Sequence, residues 1–318
     1  MVTGADGFIG HALCAHWSRS GRLFRAVVRR RASERADSPR RHVVDDLALA
    51  SDSALDAVVA GATAIVHLAG RAHVMTEAAT EPDAAFRSAN VEATARLARA
   101  AVRNGVPRFI LASSVKVNGE ASPPGRPFQP HDAPAPADAY ARSKRDAERE
   151  LVAIAAGTAT TASMLRLPLV YGPGVRANFL ALIDAVARRQ WLPLGALSTR
   201  RSLLYVGNLV TAIDAAVDVP VALAGVHFVA DEPAVSLPEL IRGIGAALAV
   251  PARLLPVPAA LLRWGGRVAG RRDAVARLTE SLVVDGASFR AATGWTQACS
   301  LQEGLAATAR WWRARHAL

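Results

Sequence analysis

An α/β architecture, a doubly wound parallel sheet with a smaller C-terminal α+β region packed against it, is the fold class this sequence predicts. Three observations predict it. Short apolar and β-branched runs alternate with amphipathic helical patterns through residues 1–170, a glycine-rich turn sits at the first strand-to-helix junction, and beyond Tyr171 the alternation loosens into loops, prolines and short elements. Strands separated by helices return parallel to one another. A parallel sheet is buried on both faces, so its strands read as unbroken apolar runs.

The elements follow in order. Residues 1–3 enter the glycine turn, and a helical pattern covers 8–19. Runs at 24–28, 42–44, 64–68, 108–112 and 163–167 read as strands, with helical patterns at 53–59, 83–103 and 138–155 between them. Only Met1, Val2 and Thr3 precede Gly4, where a central strand wants about five or six residues. Either the strand is clipped or its start lies upstream, and a clipped strand predicts reduced stability. Residues 118–137 carry six prolines and predict an ordered surface loop beside the site. A proline-bounded segment at 251–258 and a helical tail at 301–315 belong to the second region. The expected division gives 1–170, with about 203–228, to the sheet and 171–318 to the substrate region.

Hydrophobic residues make up 51% of the 318 and charged residues 20%, which excludes a disordered chain. No apolar run reaches the ~18–20 residues of a membrane span, and the glycine turn begins where a secretory signal would lie. Two cysteines, Cys14 and Cys299, make neither a disulfide framework nor a metal cluster. A cytoplasmic protein with no metal and no membrane insertion is expected. The net charge is +11, and only two of the 38 basic residues are lysine, Lys116 and Lys144, so 36 are arginine. They are scattered through helices, as on solvated faces, and their field favours anionic ligands such as nucleotides. At 5% aromatic content a stacking platform for single strands is not expected, so nucleic acid is not an expected partner.

Thr3-Gly4-Ala5-Asp6-Gly7-Phe8-Ile9-Gly10 lies between a strand and a helix. Gly4 serves the tight turn, Gly7 lets backbone approach a pyrophosphate, and Gly10 allows close packing of the helix. The helix N-terminus offers free N–H groups and a partial positive charge to phosphates. This is the Rossmann-type arrangement of a dinucleotide site. The end of the second strand selects the cofactor. NAD enzymes put a carboxylate there for the ribose hydroxyls, whereas Val28 is followed by Arg29, Arg30 and Arg31. Guanidinium groups hold a 2′-phosphate that a carboxylate repels, so NADP(H) is favoured and NAD stays open. Asp46 and Leu47 are candidates for the adenine edge, and the backbone of Leu68, Ala69 and Gly70 passes close to the cofactor.

Tyr140-Ala141-Arg142-Ser143-Lys144 starts a helix and sets Tyr140 and Lys144 one turn apart on one face. An ammonium beside a phenol favours phenolate and brings proton exchange toward neutrality. Ser114, at the end of the fifth strand, reaches the same substrate oxygen or merely caps a turn.

With these motifs the chain resembles the extended short-chain dehydrogenases/reductases, and among them the nucleotide-sugar epimerases, dehydratases and 4-ketoreductases. The resemblance rests on Gly4, Gly7 and Gly10, residues 67–70, Asn90, Ser114, Tyr140 with Lys144, and Tyr171-Gly172-Pro173-Gly174. It implies Tyr140 as acid/base, Lys144 on the nicotinamide ribose, and Ser114 on the reacting oxygen. It adds Asn90 and Leu167 to the cofactor site. Asn178, Phe179 and Arg201 become substrate contacts, with Arg201 clamping a diphosphate. Two positions depart from the family pattern: Asn118 stands where a tyrosine is usual, and Leu169 where an asparagine is usual. The helices at 83–103 and 138–155 resemble the pair through which relatives dimerise, so a homodimer is expected.

A 4-epimerase regenerates its nicotinamide and suits NAD. A 4-ketoreductase consumes reducing equivalents and suits NADPH. The Arg29 region therefore ranks reduction of a UDP-4-keto-6-deoxy-N-acetylhexosamine ahead of UDP-glucose or UDP-N-acetylglucosamine 4-epimerisation. A reductase of non-sugar ketones would not need Arg201, and a nucleotide-sensing regulator would not need Tyr140.

Overall fold

The computed structural model describes residues 1–29, 41–71, 82–270 and 272–316. Eleven strands are found among them: β1 (Val2–Thr3), β2 (Ala26–Val28), β3 (Arg41–Val43), β4 (Ile65–His67), β5 (Arg108–Ser114), β6 (Thr161–Leu167), β7 (Leu169–Tyr171), β8 (Arg200–Arg201), β9 (Leu203–Tyr205), β10 (Gly225–Phe228) and β11 (Val235–Ser236). Seven form one parallel sheet in the order β10-β6-β5-β4-β1-β2-β3. From β1 the chain winds outward through β2 and β3, then crosses to β4 and winds the other way. The carboxyl edge between β1 and β4 is the switch point where doubly wound sheets bind ligands.

Two helical layers cover the sheet. Leu13, Cys14 and Trp17 of α1 (Phe8–Arg19) share a core with Leu209, Val210, Ala212, Ile213 and Ala216 of α7 (Val206–Asp218), over Val2, Val66 and Ile110. The opposite face takes α2 (Asp52–Val59), α4 (Ala93–Arg103) and α5 (Ala139–Ala155) through Leu55, Leu97 and Leu151 against Ile65, Phe109 and Leu111. The pattern at 83–103 resolves into α3 (Pro82–Phe86), one π-helical turn (Arg87–Glu92) and α4. A single π turn in a helix often marks a functional site, and Asn90 lies in this one. Ser113 and Ser114 close the β5 strand, where Ser114 is expected. Asp138 starts α5 by accepting the Ala141 N–H at 2.7 Å.

The later chain builds a separate core from Tyr171, Phe179, Ile183, Ile241, Ile244 and Leu305. It is carried by α6 (Ala177–Ala187), α8 (Leu237–Leu248) and α12 (Leu301–His316), with the helical hairpin of α9 (Ala259–Val268) and α10 (Arg272–Thr279) and the short α11 (Ala287–Thr293). A capping box between Ser236 and Glu239 opens α8. Parallel β7–β9 and antiparallel β8–β11 pairs lie outside the main sheet. Among the described residues no helix is long and apolar enough to cross a membrane, and no group of His, Cys, Asp and Glu could hold a metal ion.

Candidate active site

Each expected element ends at one edge of the sheet. Gly4 has φ +65°, where an L side chain is strained, and a Cβ on it would lie 2.7 Å from the Ala69 nitrogen. A Cβ on Gly10 would land on the Gly4 carbonyl oxygen, whereas one on Gly7 meets only that oxygen, at 3.1 Å. Gly10 thus seats α1 on the turn, and Gly7 leaves an open approach. No side chain caps α1 and its first turn holds no acid, so its N–H groups and dipole face the cleft. These features fit the diphosphate of a dinucleotide. Phe8 and Ile9 are half-buried beside the turn, and so is Asp6. Leu47 is buried in the core, while Asp46 accepts the Ala48 N–H at 2.7 Å; both support the loop after β3. Leu68 and Ala69 pass half-buried behind Gly4, Leu167 is buried at the end of β6, and Arg29 is exposed at the end of β2. Arg30 lies outside the described residues.

Tyr140 and Lys144 face this edge from α5. The Lys144 ammonium donates to the Ala112 carbonyl at 2.8 Å and lies 3.6 Å from the position of a Cβ on Gly70. It therefore stands between β5 and the cofactor segment. Burial lowers its pKa to about 8, and the Glu148 carboxylate pulls the other way. Ser114 hydrogen-bonds with the Tyr140 phenol, and its Oγ also accepts the Lys116 N–H at 3.2 Å. The turn-capping role weighed for Ser114 is thus present, with the hydroxyl also placed against the phenol. Burial pushes the Tyr140 phenol up to about 12, against the pull of the Ser114 hydrogen bond and with Asp138 adding to the rise. Desolvation outweighs the pull toward phenolate, and the phenol carries its proton at neutral pH; the lowering expected from the ammonium is not seen.

Two buried networks lie behind this pair, and sequence reading passed over both. Asn90 accepts the Arg71 N–H at 2.8 Å and donates to the Ser143 hydroxyl at 2.8 Å, tying the π turn to α5. Thr94 donates to the Asn90 carbonyl at 2.6 Å, so its oxygen accepts from His67 Nε2, at 3.1 Å. His67 Nδ1 then accepts from Thr3, at 2.6 Å. His67 is fully buried, and desolvation with the nearby Lys144 charge lowers its pKa to about 3, so it is neutral.

The second network joins Glu148 and Arg166, both buried. Arg166 donates through Nε and Nη2 to the two Glu148 oxygens at 3.0 and 2.6 Å, and through Nη1 to Asn118 at 2.9 Å; Ser113 also donates to Glu148. Asn118, the apparent departure from the family pattern, is thus a ligand of the buried arginine. Its spacing from Arg166 in sequence gave no signal for this.

The residues expected to contact substrate are placed unevenly. Asn178 is exposed at the first turn of α6, next to Ala177, whose φ of +52° is strained for a residue with a Cβ. The ring of Phe179 is buried and stacks on Tyr171 at 5.1 Å between centroids. Its side chain is core, and only its backbone is left for a ligand. Leu169 is half exposed on β7, with no polar group to offer. Arg201 donates to the carbonyl of Arg277 and, at 3.5 Å, to that of Glu280. Burial lowers its pKa, opposed by the Glu120 carboxylate.

A doubly wound sheet, a glycine turn at its switch point and a Ser/Tyr/Lys set on the next strand and helix define a nicotinamide-dependent oxidoreductase of the extended short-chain dehydrogenase/reductase type. The model of the NAD dependent epimerase/dehydratase family matches residues 1–230. A UDP-glucose 4-epimerase of Vibrio cholerae is 37% identical over 312 residues, 98% of this chain and 94% of that protein. The N-acetyl-alpha-D-glucosaminyl-diphospho-ditrans,octacis-undecaprenol 4-epimerase of Escherichia coli O157:H7 is 25% identical over 324 residues, covering 96% and 92%. Among solved structures, MoeE5 in complex with UDP-glucuronic acid and NAD matches with a TM-score of 0.77 and 27% identity, over 100% of this chain and 99% of that one. The chain belongs to the NAD dependent epimerase/dehydratase family.

Proposed function

We propose that the chain is a UDP-hexose 4-epimerase that oxidises and re-reduces C4 of its sugar, with Tyr140 as acid/base. The observation that carries this is the phenol of Tyr140, bonded to Ser114 and one helical turn from an ammonium standing between β5 and Gly70. A nicotinamide bound at the glycine turn supplies the hydride exchange. As a phenolate, which the positive ring of a bound NAD would favour, Tyr140 takes the proton of the C4 hydroxyl as the sugar is oxidised and returns it to the carbonyl oxygen as the ketosugar is reduced. Ser114 steadies that oxygen while charge develops on it. Lys144 holds the nicotinamide ribose. Gly4, Asp6, Gly7, Phe8, Ile9, Gly10, Leu68, Ala69, Gly70, Asn90 and Leu167 form the cofactor cradle, with Asp46 and Leu47 at its adenine end. Asn178 and Arg201 take the sugar nucleotide.

The Vibrio cholerae relative supports epimerisation over the reductase that the sequence alone ranked first. One feature favours the second reading, NADPH-dependent reduction of a UDP-4-keto-6-deoxy-N-acetylhexosamine: Arg29 stands at the end of β2, where NAD enzymes put an acid. The homodimer expected through the helices at 83–103 and 138–155 goes with either reading.

The test is to supply UDP-glucose or UDP-N-acetylglucosamine with NAD, following sugars by NMR and the nicotinamide at 340 nm. Interconversion without net absorbance change supports the epimerase. Stoichiometric NADPH oxidation by a UDP-4-ketosugar, with no interconversion, replaces it by the reductase. Tyr140→Phe is expected to lower kcat by roughly 10²–10⁴-fold while the cofactor still binds; undiminished turnover removes Tyr140 from the chemistry.

A further inference from the structure

The α9 helix has three faces. Ala259 and Leu262 pack on the second core, and Gly266 approaches α10 so closely that a Cβ on it would lie 2.6 Å from a Val275 methyl. On the far side Leu261, Trp264 and Val268 form a stripe at spacings of three and four residues, 58%, 66% and 73% exposed. Along one border of the stripe stand Arg263 and Arg267, both exposed and, among the described residues, in no ion pair. The whole stretch 251–272 contains five arginines and no carboxylate.

Large apolar side chains are rarely left in water along a helical stripe unless something covers them. Leucine, tryptophan and valine on one face with arginine along its border make the pattern of a helix lying in the membrane–water boundary, the indole at headgroup depth and the guanidinium groups reaching phosphates. Charge selects the occupant. A second copy of this chain, meeting the same face about a twofold axis, would bring the arginines together. An anionic lipid surface attracts them, and the net charge of +11 adds to that attraction.

We propose that the exposed face of α9 docks the protein on an anionic phospholipid bilayer. Arg201 bonds to carbonyls at the end of α10, the helix that packs on α9, so docking brings the sugar-nucleotide end of the cleft to the lipid surface. This surface contains none of the residues assigned to chemistry, so it stands or falls separately from the proposed reaction.

The experiment is flotation of the full chain with vesicles of phosphatidylethanolamine and phosphatidylglycerol, against vesicles of phosphatidylcholine alone. The chain is expected to float with the anionic vesicles, remain behind with the neutral ones, and lose binding as salt rises. The double variant Leu261→Glu/Trp264→Glu is expected to bind anionic vesicles roughly tenfold or more weakly, with turnover in solution unchanged. Arg263→Glu/Arg267→Glu is expected to lower both binding and its salt dependence. Quenching of tryptophan emission by brominated lipid, present in the wild type and reduced in Trp264→Phe, reads the same insertion without a charge change. Three results overturn the proposal: wild type that does not float, a Leu261→Glu/Trp264→Glu variant that floats like wild type, or a Leu261→Glu/Trp264→Glu variant whose only change is a smaller oligomer in light scattering.

Discussion

Tyr140 and Lys144 divide the proton work between them, and burial sets the terms. A phenol at about 12 is a held proton, while an ammonium at about 8 is close to losing its own. The pH profile of kcat/KM is therefore expected to fall on the alkaline side above about pH 8, as Lys144 loses its charge. Glu148 supports that charge from the next turn of α5, so Glu148→Gln is expected to move the alkaline limb to lower pH. That variant also strands a buried guanidinium, at a cost of about 3–5 kcal/mol. Pairing it with Arg166→Met separates the two effects: stability recovers and the shifted limb remains. An alkaline limb that stays in place in both variants shows that Glu148 does not act on Lys144. His67 predicts an acid effect. Its folded pKa lies below the ordinary value, so the unfolded chain binds the extra proton. Stability is intact above about pH 6.5 and is lost as pH falls toward 3. A Tm series over that range is expected to be flatter in His67→Asn.

At the scale of elements, two joints matter most. α1 is fixed to α7 through Asp214, which accepts from His16 at 2.5 Å and from the Trp17 indole. Asp214→Ala leaves that buried indole without its acceptor and is expected to cost about 1–3 kcal/mol in urea unfolding. α6 begins at Ala177, with its positive φ. Ala177→Gly relieves the strain and is expected to raise stability by roughly 1 kcal/mol. If substrate KM rises at the same time, the strained turn is holding Asn178 in place. Much of this level was legible beforehand. The five strand runs, the glycine turn and the spacing of Tyr140 from Lys144 are local signals, because side-chain periodicity and turn chemistry act over a few residues. The networks of Glu148 with Arg166 and Asn118, and of His67 with Thr3 and Thr94, were not legible. Their members lie far apart in the chain and meet only once the sheet has brought β1, β4, β5 and β6 together. Phe179 read as a substrate contact by resemblance, when its ring is committed to Tyr171.

Across the whole molecule, the proposed site draws on both parts of the chain. In that reading the sheet supplies the cofactor edge, while α6 carries Asn178 and β8 carries Arg201, which bonds to a carbonyl of α10. Neither the composition nor the scattered arginines foretold which charges would matter. Among the described residues most of the arginines are exposed, while Arg166 is sealed inside. Arg29→Asp tests the remaining choice at this scale. A carboxylate at the end of β2 is expected to weaken NADPH relative to NADH, measured as the ratio of their dissociation constants, and an unchanged ratio removes Arg29 from cofactor selection.

The order of the main sheet has a consequence for biosynthesis. β10 closes the flank of β6, yet it reaches the ribosome exit only after β7, α6, β9 and α7 have been made. For several seconds at ordinary translation speed the nascent chain presents β6 with one row of peptide groups unsealed. Chaperone capture, or a stall that lets neighbouring polysomal chains zip together along that border, belongs to this interval, and synonymous codons that slow translation between Leu167 and Gly225 are where yield will suffer.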